Sequence, residues 1–352
     1  LVSRISYFVF PRQLENSSIR KYKIAVIYAQ IMNITKLIKE YDHKKIIIGA
    51  LASHSALDIF DGAVRENFLT LAVCQKGREK TYTEYFKSVR DKSGNHIRGV
   101  VDESIVLKNF EELMNKNMLN ILQKKNVIFV PNRALTSYIE VKRIETEFEV
   151  PLFGSRNMLH IEEREFKDNY YQLIEKAKIA FPRKIESPKD INGLSIVKLP
   201  HAKKRLERGF FTCASYAEYI EKSKQLLKKN IITESDLQNA RIEEYIIGPV
   251  FNLNFFYSPI EEKHSKLELL GVDWRFESSL DGHIRLPADQ QLKLPAHQYI
   301  PEYTVTGHNS ATLRESLLEK AFAIGEKFVN ASKEYYAPGI IGPFCLQTCV
   351  DK

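Results

Sequence analysis

The first residues that could do chemistry lie directly after an apolar run, in the segment Ala52–Ala63. The run Ile46–Leu51 predicts a buried strand, and Ser53 or Ser55 would cap the helix that follows. The turn places His54 and backbone N–H groups at the carboxyl end of a strand. An α/β sheet presents its ligand crevice there, and a helix N-terminus attracts phosphate. A lone histidine in a capped turn is more often a structural hydrogen-bonding residue, so that alternative stays open.

A second group of polar residues lies in the second half of the chain. Lys198 ends a short apolar strand, and its ammonium needs an anionic partner because burying an unpaired charge is costly. The basic loop His201–Gly209 follows, and its Arg208 end could close over a polyphosphate. Glu243 and Glu244 lie in a segment that could connect two lobes, with carboxylates for ribose hydroxyls and a backbone for an adenine edge. Singly, such residues are usually edge lysines and solvated glutamates, but in this order they predict a nucleotide site.

Length and composition are those of an ordinary folded protein with two or three domains. The 352 residues are 44% hydrophobic and 27% charged, which excludes wholesale disorder. No apolar run approaches the roughly 18–20 residues of a membrane helix, and Pro11 cuts the apolar start Ile5–Phe10 too short for a signal peptide. Cys345 and Cys349 are close in sequence, but no second Cys or His pair completes a metal site. We therefore expect reduced thiols and a cytoplasmic protein.

The charge of the chain is basic but dispersed. The net charge is +8 and the pI is about 9.0, yet acidic residues are interleaved nearly everywhere. The densest basic run, Lys203–Arg208, lies in the candidate phosphate loop. A diffuse excess suits small anionic substrates, so we expect neither a nucleic-acid nor a membrane partner. The P-loop motif and the Rossmann glycine signature are absent from the sequence, which disfavours the commoner nucleotide folds.

Hydrophobic patterns predict the order of the elements. In the first half they are a helical segment at 24–41, strands at Ile46–Leu51, Leu69–Cys74 and Asn126–Val130, and helices at Ala56–Asn67 and near Lys108–Lys124. Such alternation indicates a doubly wound parallel sheet. Asn132 and Arg133 follow its last strand and should project into the same crevice as His54, although Arg133 fits a surface cation equally well. In the second half the predicted elements are helices carrying Glu162–Arg164, at Tyr170–Lys178 and near Ala217–Lys229, and strands at Leu194–Pro200, Phe251–Tyr257 and Leu267–Val272.

Short sequence blocks from about residue 44 to the C-terminus resemble one known family. They are Ala52–Leu57, Cys74–Arg78, Val150–Arg156, Ile242–Tyr245, Phe256–Pro259, Leu269–Asp273, Arg275–Ser278, Leu313–Leu318 and Gly342–Gln347. The order of strand lysine, basic loop and acidic strand resembles the ATP-grasp superfamily. Within it, the chain looks like the archaeal formate-dependent ligases of purine biosynthesis, the 5-formaminoimidazole-4-carboxamide ribonucleotide synthetases.

The resemblance implies an α/β and α+β fold divided into four parts. These are an N-terminal helical extension (1–43), a Rossmann-like pre-ATP-grasp domain (44–150), an ATP-grasp lobe with the phosphate loop (151–248) and an incomplete C-terminal lobe (249–352). It also implies a reaction in which ATP phosphorylates formate to formyl phosphate, which the 5-amino group of the aminoimidazole carboxamide ribonucleotide attacks. Mg²⁺ (or Mn²⁺) would bridge the ATP phosphates, and the loop His201–Gly209 would close the site against water. Ligases of this size commonly self-associate, so a homo-oligomer is one alternative for this chain and a monomer the other.

Site residues carry over by position. The substrate positions are His54, Ala134 and His308. The ATP positions are Lys198, Arg208, Glu243, Glu244, Tyr245, Ile246, Asn252 and Glu277. Gln347 falls at one magnesium position, and no catalytic residue is assigned.

The sequence departs from the family at four places. Ala134 stands where better-known members have a substrate-binding serine, and His308 stands where they have an asparagine. The phosphate loop is longer and poor in glycine, and the second metal-binding glutamate is expected beyond Lys352. Two alternatives therefore stay open: an ATP-grasp paralogue that joins another acid to another amine, and a catalytically idle nucleotide-binding protein.

Overall fold

A computed structural model describes residues 36–53, 55–164, 166, 168–200, 209–260, 267–277, 279–295, 298–299, 301 and 305–351. The chain divides into two compact units, Leu1–Asn157 and Met158–Lys352. Most of the predicted N-terminal extension lies outside the described residues, of which 36–40 are helical. The division of the chain into four parts stays a prediction.

The first unit is built on a parallel sheet. In chain order its elements are β1 (Ile47–Leu51), α1 (Ala56–Arg65), β2 (Leu69–Gln75), β3 (Val89–Arg90), β4 (His96–Arg98), β5 (Glu103–Leu107), α2 (Lys116–Lys124), β6 (Val127–Phe129), α3 (Arg133–Tyr138) and α4 (Val141–Glu147). The sheet has the order β5-β2-β1-β6 with all neighbours parallel, and β3 and β4 pair as a separate hairpin. The parallel sheet predicted from the alternating pattern is therefore confirmed.

The centre of this sheet is closely packed because β1 is almost fully buried. Leu51, Phe60 and Phe129 have no exposed surface or almost none, and the rings of Phe129 and Phe148 meet edge to face at 5.4 Å. A Cβ atom on Gly49 would lie 2.6 Å from Val127 Cγ1, so the close approach of β1 and β6 requires glycine at this position.

The turn between β1 and α1 is held by a side chain from a distant part of the chain rather than by a serine cap. Ser55 occupies the N-cap position of α1, but its side chain makes no capping hydrogen bond, contrary to the sequence expectation. Instead, the buried amide of Asn132 donates to the carbonyl oxygens of Leu51 and Ser53, both at 2.9 Å. Its oxygen accepts from the backbone N–H of Leu135 and so caps α3. Asn132 therefore ties the carboxyl ends of the neighbouring strands β1 and β6 together.

Two parts of the first unit differ from the sequence prediction. The predicted helix near Lys108–Lys124 is split into a 3-10 turn at Phe110–Met114, which the Asn109 side chain caps, and α2. The edge strand β5 was not predicted. It is anchored beside β2 by Asp102, whose carboxylate accepts from the backbone N–H of Thr70 at 3.0 Å and from Arg90 at 2.9 Å. Long-range polar contacts of this kind leave no local pattern in a sequence.

The second unit contains two antiparallel sheets. In chain order its elements are α5 (Tyr170–Lys176), β7 (Lys184–Ile185), β8 (Ser195–Lys198), β9 (Phe210–Cys213), α6 (Tyr216–Lys228), α7 (Glu234–Gln238), β10 (Arg241–Glu244), β11 (Val250–Tyr257), β12 (Leu267–Glu277), α8 (Leu280–Ile284), α9 (Ala288–Gln291), β13 (Val305–Ala311), α10 (Glu315–Tyr335) and β14 (Gly342–Cys349). The first sheet has the order β7-β10-β8-β9 and the second β13-β12-β11-β14. The predicted antiparallel pairing of β11 and β12 is confirmed. The predicted helix carrying Glu162–Arg164 is wrong, since a 3-10 turn at Arg156–Glu162 ends at Glu162 and the next two residues are not helical.

Each sheet of the second unit buries one face under a helix. Val197, Phe211 and Ile242 form the apolar side of the first sheet, together with Tyr219 of α6. Side chains alternate along a strand, so Lys198, which is opposite Arg241 in the β8–β10 register, points to the other side.

The second sheet packs against α10, a helix that the sequence analysis did not single out. Phe255 and Leu267 lie in this core, and a Cβ atom on Gly325 of α10 would come within 2.9 Å of Leu267 and 3.0 Å of Phe255. The other face of the sheet is polar. Among the described residues, no helix is long and apolar enough to cross a membrane.

We predict that Asn132→Ala destabilises the first unit by about 2 kcal/mol, because it removes a helix cap and leaves two buried carbonyl groups without their donor. Urea unfolding measures this change. Asn120→Ala, which deletes the same amide at an exposed position of α2, should change the free energy of unfolding by less than about 0.5 kcal/mol. Equal effects of the two substitutions would contradict the bridging role of Asn132.

Candidate functional site

A buried carboxylate joins two cations on the open face of the first sheet of the second unit. Glu243 has no exposed surface, and its two oxygens lie 2.5 Å from Lys198 Nζ and 2.5 Å from Arg241 Nε. Lys198 also donates to the hydroxyl of Tyr171 at 3.0 Å. We call these four residues the Lys198 cluster. Adjacent antiparallel strands bring them together, because Lys198 is opposite Arg241 and Glu243 is opposite Ile196.

The Lys198 cluster carries a net positive charge. Two cations and one carboxylate leave one positive charge, and the lysine and arginine side chains keep 20% and 22% of their surface exposed. Burial, together with the nearby carboxylate of Glu243, raises the pKa of Tyr171 to about 12, so the phenol stays neutral. The Arg241 guanidinium lies 3.9 Å from the centre of the Tyr171 ring, which stacks on Tyr170 at 4.3 Å. An excess cation that is partly desolvated attracts an anion such as phosphate.

The partner of Lys198 differs from the expectation. From the sequence, we expect the Lys198 ammonium to bind a triphosphate and the Glu243 carboxylate to accept hydrogen bonds from ribose hydroxyls. The structure gives Lys198 an internal carboxylate, and both oxygens of that carboxylate are engaged. Burying a cation on this strand is tolerable because the carboxylate is buried with it. Glu243 therefore positions the two cations.

The segment after Glu243 is more accessible. Glu244 accepts from the backbone N–H of Arg183 at 2.8 Å, and Tyr245 is 39% exposed. The Tyr245 backbone N–H donates to Leu194 O at 3.0 Å, and Ile246 is half-buried. Nothing in these contacts assigns the three residues to a nucleotide, so their ATP contacts stay predictions.

A second polar cluster lies on the open face of the second sheet. The carboxylate of Asp273 accepts from the side-chain amides of Asn252 at 2.8 Å and Asn254 at 2.6 Å, and it lies 2.5 Å from Nδ1 of His308. Burial raises the pKa of Asp273, but the hydrogen bonds from His308, Asn252 and Asn254 outweigh it and hold the pKa below its ordinary value. We call these four residues the Asp273 cluster. Its carboxylate is ionised at neutral pH.

The same face continues through Arg275 and Gln347. Gln347 is opposite Asn252 in the β11–β14 register. With its amide oxygen turned toward Arg275, it accepts from both terminal guanidinium nitrogens at 3.2 and 3.3 Å. Beside them, desolvation raises the pKa of the Cys345 thiol to about 11, so it is protonated. Glu277 ends β12, and its backbone N–H donates to Asp281 at 2.5 Å.

Residues that precede and begin α5 act on both sheets of the second unit. Glu162 acts electrostatically on Cys345 of the second sheet. Arg164 donates to Leu199 O at 3.0 Å, next to Lys198, and Tyr171 belongs to the Lys198 cluster. The run from Glu162 to Tyr171 therefore reaches the open faces of both sheets.

Three further predicted site residues are His54, Arg208 and Ala134. His54 and Arg208 lie outside the described residues. Ala134 lies in the first turn of α3, 4% exposed, and its methyl group offers neither donor nor acceptor. Their roles stay predictions.

The sequence analysis missed Tyr171, Arg241, Asn254, Asp273 and Arg275. A signal existed for the last three, because polar residues two positions apart in an otherwise apolar strand mark its solvent face. None existed for the first two, whose partners are distant in sequence.

We predict that Glu243→Gln lowers the free energy of unfolding by about 3 kcal/mol, because it leaves two partly buried cations without their counter-charge. Chemical denaturation measures the change. The matched control is Glu244→Gln, which removes a carboxylate with 37% exposed surface and should cost less than about 1 kcal/mol. Similar effects of both substitutions would contradict the central position of Glu243.

Comparison with known proteins gives two family profiles of undescribed function. The model described as a protein of unknown function (DUF1246) matches residues 48–185, and the model described as a domain of unknown function (DUF1297) matches residues 218–352.

Solved structures are also similar to this chain. An IMP biosynthesis protein PurP from Thermococcus kodakaraensis shares 27% identity, with 86% of this chain and 81% of that chain covered and a TM-score of 0.61. An N5-carboxyaminoimidazole ribonucleotide synthetase in its ADP complex has a TM-score of 0.53 at 13% identity, covering 87% and 67% of the two chains.

These structural neighbours are ATP-grasp ligases, so the expected fold class is confirmed.

Curated relatives are similar to this chain over most of their length. These relatives are named 5-formaminoimidazole-4-carboxamide-1-(beta)-D-ribofuranosyl 5'-monophosphate synthetase. The one from Methanosphaera stadtmanae is 36% identical to this chain, and the match covers 91% of this chain and 82% of the relative. In Methanocaldococcus jannaschii the identity is 37%, over 90% of this chain and 81% of the relative. The chain therefore belongs to the family of 5-formaminoimidazole-4-carboxamide ribonucleotide synthetases.

Proposed function

We propose that the protein is an ATP-dependent carbon–nitrogen ligase that formylates 5-aminoimidazole-4-carboxamide ribonucleotide in purine biosynthesis. Formate would be activated as formyl phosphate, and the 5-amino group of the ribonucleotide would displace phosphate. The proposal is supported by membership of the synthetase family. The observation in the structure that carries it is the net positive, partly desolvated Lys198 cluster on the first sheet of the second unit.

ATP phosphates would be held by the Lys198 cluster. The Lys198 ammonium and the Arg241 guanidinium are fixed by a fully buried carboxylate, so they are oriented before a ligand arrives. Donors that are already in place need no reorganisation when negative charge moves during phosphoryl transfer. Glu244, Tyr245, Ile246, Asn252 and Glu277 remain predicted ATP contacts.

A divalent cation, Mg²⁺ or Mn²⁺, would accompany the ATP. Within the described ranges, no group of three or more His, Cys, Asp or Glu side chains is arranged to hold a metal. Mg²⁺ in nucleotide sites is commonly bound by one or two protein oxygens together with phosphates and water. Gln347 stays the ligand that the resemblance predicts, but its amide oxygen accepts from the Arg275 guanidinium in this structure and would have to leave it to meet a cation. When bound, the ion would neutralise phosphate charge.

A different acid and amine are the second candidate pair. Two observations favour it: Ala134 presents a buried methyl group, and His308 pairs with Asp273 where the resemblance expects an asparagine. A panel of small acids and amines, screened for ATP turnover that needs both, separates this candidate from formate and the ribonucleotide. Small-molecule substrates are common to both; self-association and a cytoplasmic location stay predictions.

The direct test is ADP release by the full-length protein with ATP, Mg²⁺, formate and the ribonucleotide. We expect release that needs both co-substrates and a formylated ribonucleotide by mass spectrometry. Absence of that product while another acid–amine pair supports turnover would replace the proposed substrates. Absence of any turnover would favour an idle nucleotide-binding protein.

We predict that Lys198→Met raises the KM for ATP or lowers turnover by about 10- to 100-fold, the loss of a charge-assisted hydrogen bond of about 1.5–3 kcal/mol. Glu243 keeps Arg241 as its partner in this variant, so the fold should survive. Lys189→Met, at an exposed position of the same unit, is the control and should behave as wild type. If both variants behave alike, ATP is bound elsewhere.

A further inference from the structure

His308 and Asp273 form a carboxylate–imidazole pair on the open face of the second sheet. His308 lies on the edge strand β13, and its Nδ1 is 2.5 Å from an Asp273 oxygen. The histidine side chain is 47% exposed and the aspartate side chain 20% exposed. The carboxylate is therefore the inner member of the pair, and the ring is the outer one.

The surroundings of Asp273 determine which ring nitrogen carries the proton. Amide groups of Asn252 and Asn254 donate to its two oxygens at 2.8 and 2.6 Å, and these donors favour the ionised carboxylate. An ionised carboxylate can only accept hydrogen bonds, so Nδ1 of His308 must be the protonated nitrogen. In the neutral ring, Nε2 then carries a lone pair and is free to act as a base.

The charged and titratable groups facing His308 come from β12 and, further across the sheet, from β14. Arg275 is opposite His308 in the register, with Asp273 and Glu277 on the same strand. Cys345 lies on β14, where its thiol is protonated. The nearest carboxylate, Asp273, is the one bonded to the ring.

We propose that His308 is the general base of the formyl transfer and that Asp273 is its positioning residue. This inference rests on the proposed function. The amine nitrogen uses its lone pair to form the new bond to the formyl carbon, and the bond from that carbon to the phosphate oxygen breaks. Phosphate leaves with the electron pair, and the proton lost by the amine goes to Nε2 of His308. The asparagine that the resemblance expects at this position can donate or accept a hydrogen bond but cannot take this proton.

The test separates the two halves of the reaction. In the first assay, ATP carries heavy oxygen in its β–γ bridge, and no amine is added. Movement of that label out of the bridge, when it depends on formate, reports the formation of formyl phosphate. Formylated product under saturating substrates reports the whole reaction, measured from acid to alkaline pH. The variants are His308→Asn, Asp273→Asn and the control Ser310→Ala, an exposed residue two positions along the same strand.

For His308→Asn we expect isotope exchange within about twofold of wild type and product formation lowered on the order of 100-fold, the usual contribution of a positioned base. The wild-type rate should fall at acid pH, because a protonated imidazole cannot accept a proton, and this fall should vanish in the variant. Asp273→Asn should slow the same step because an amide no longer fixes the ring tautomer. Ser310→Ala should match wild type.

His308→Asn with the wild-type rate and pH profile would overturn the proposal. An equal loss in isotope exchange and product formation would also overturn it, since a merely structural residue affects both steps. If the wild-type protein exchanges isotope but makes no formylated ribonucleotide, the proposed function is wrong. The assignment of His308, which rests on that function, is then wrong as well.

Discussion

The fully buried carboxylate of Glu243 is the constraint on which the second unit depends. It holds Lys198 and Arg241 at hydrogen-bond distance on neighbouring strands, and Tyr171 closes the group from α5. Removing charges from water is costly, so such a cluster persists only when each charge has a partner. One positive charge is left over, and it is the feature that makes this face of the sheet suitable for a phosphate group.

The two sheets of the second unit follow one principle. Each places apolar side chains under a helix and leaves the alternate side chains for chemistry. On the first sheet those side chains are the cations and carboxylate of the Lys198 cluster, and on the second they are the amides, carboxylate and imidazole of the Asp273 cluster. Tyr171 contacts the first face, and Glu162 acts electrostatically on Cys345 of the second. On the proposed function, the first face would hold the phosphates and the second would take the proton of the amine.

Local patterns were enough to predict the parallel sheet of the first unit, because its central strands are short, mostly apolar runs and its helix α1 follows directly after the first of them. The Lys198 strand and the acidic strand were also found. Their direct pairing was not, because Lys198 and Glu243 are 45 positions apart and only the strand register joins them. The serine cap failed for a similar reason, since Asn132 reaches the turn from a distant strand. Asp273 was missed although its spacing from Arg275 marked the polar face.

A structure of the full-length protein with a non-hydrolysable ATP analogue tests the central claim most directly. We expect a phosphate oxygen within hydrogen-bond distance of Lys198 Nζ, with Glu243 still bonded to Arg241. Phosphates bound elsewhere, with Lys198 and Glu243 paired only to each other, would contradict it.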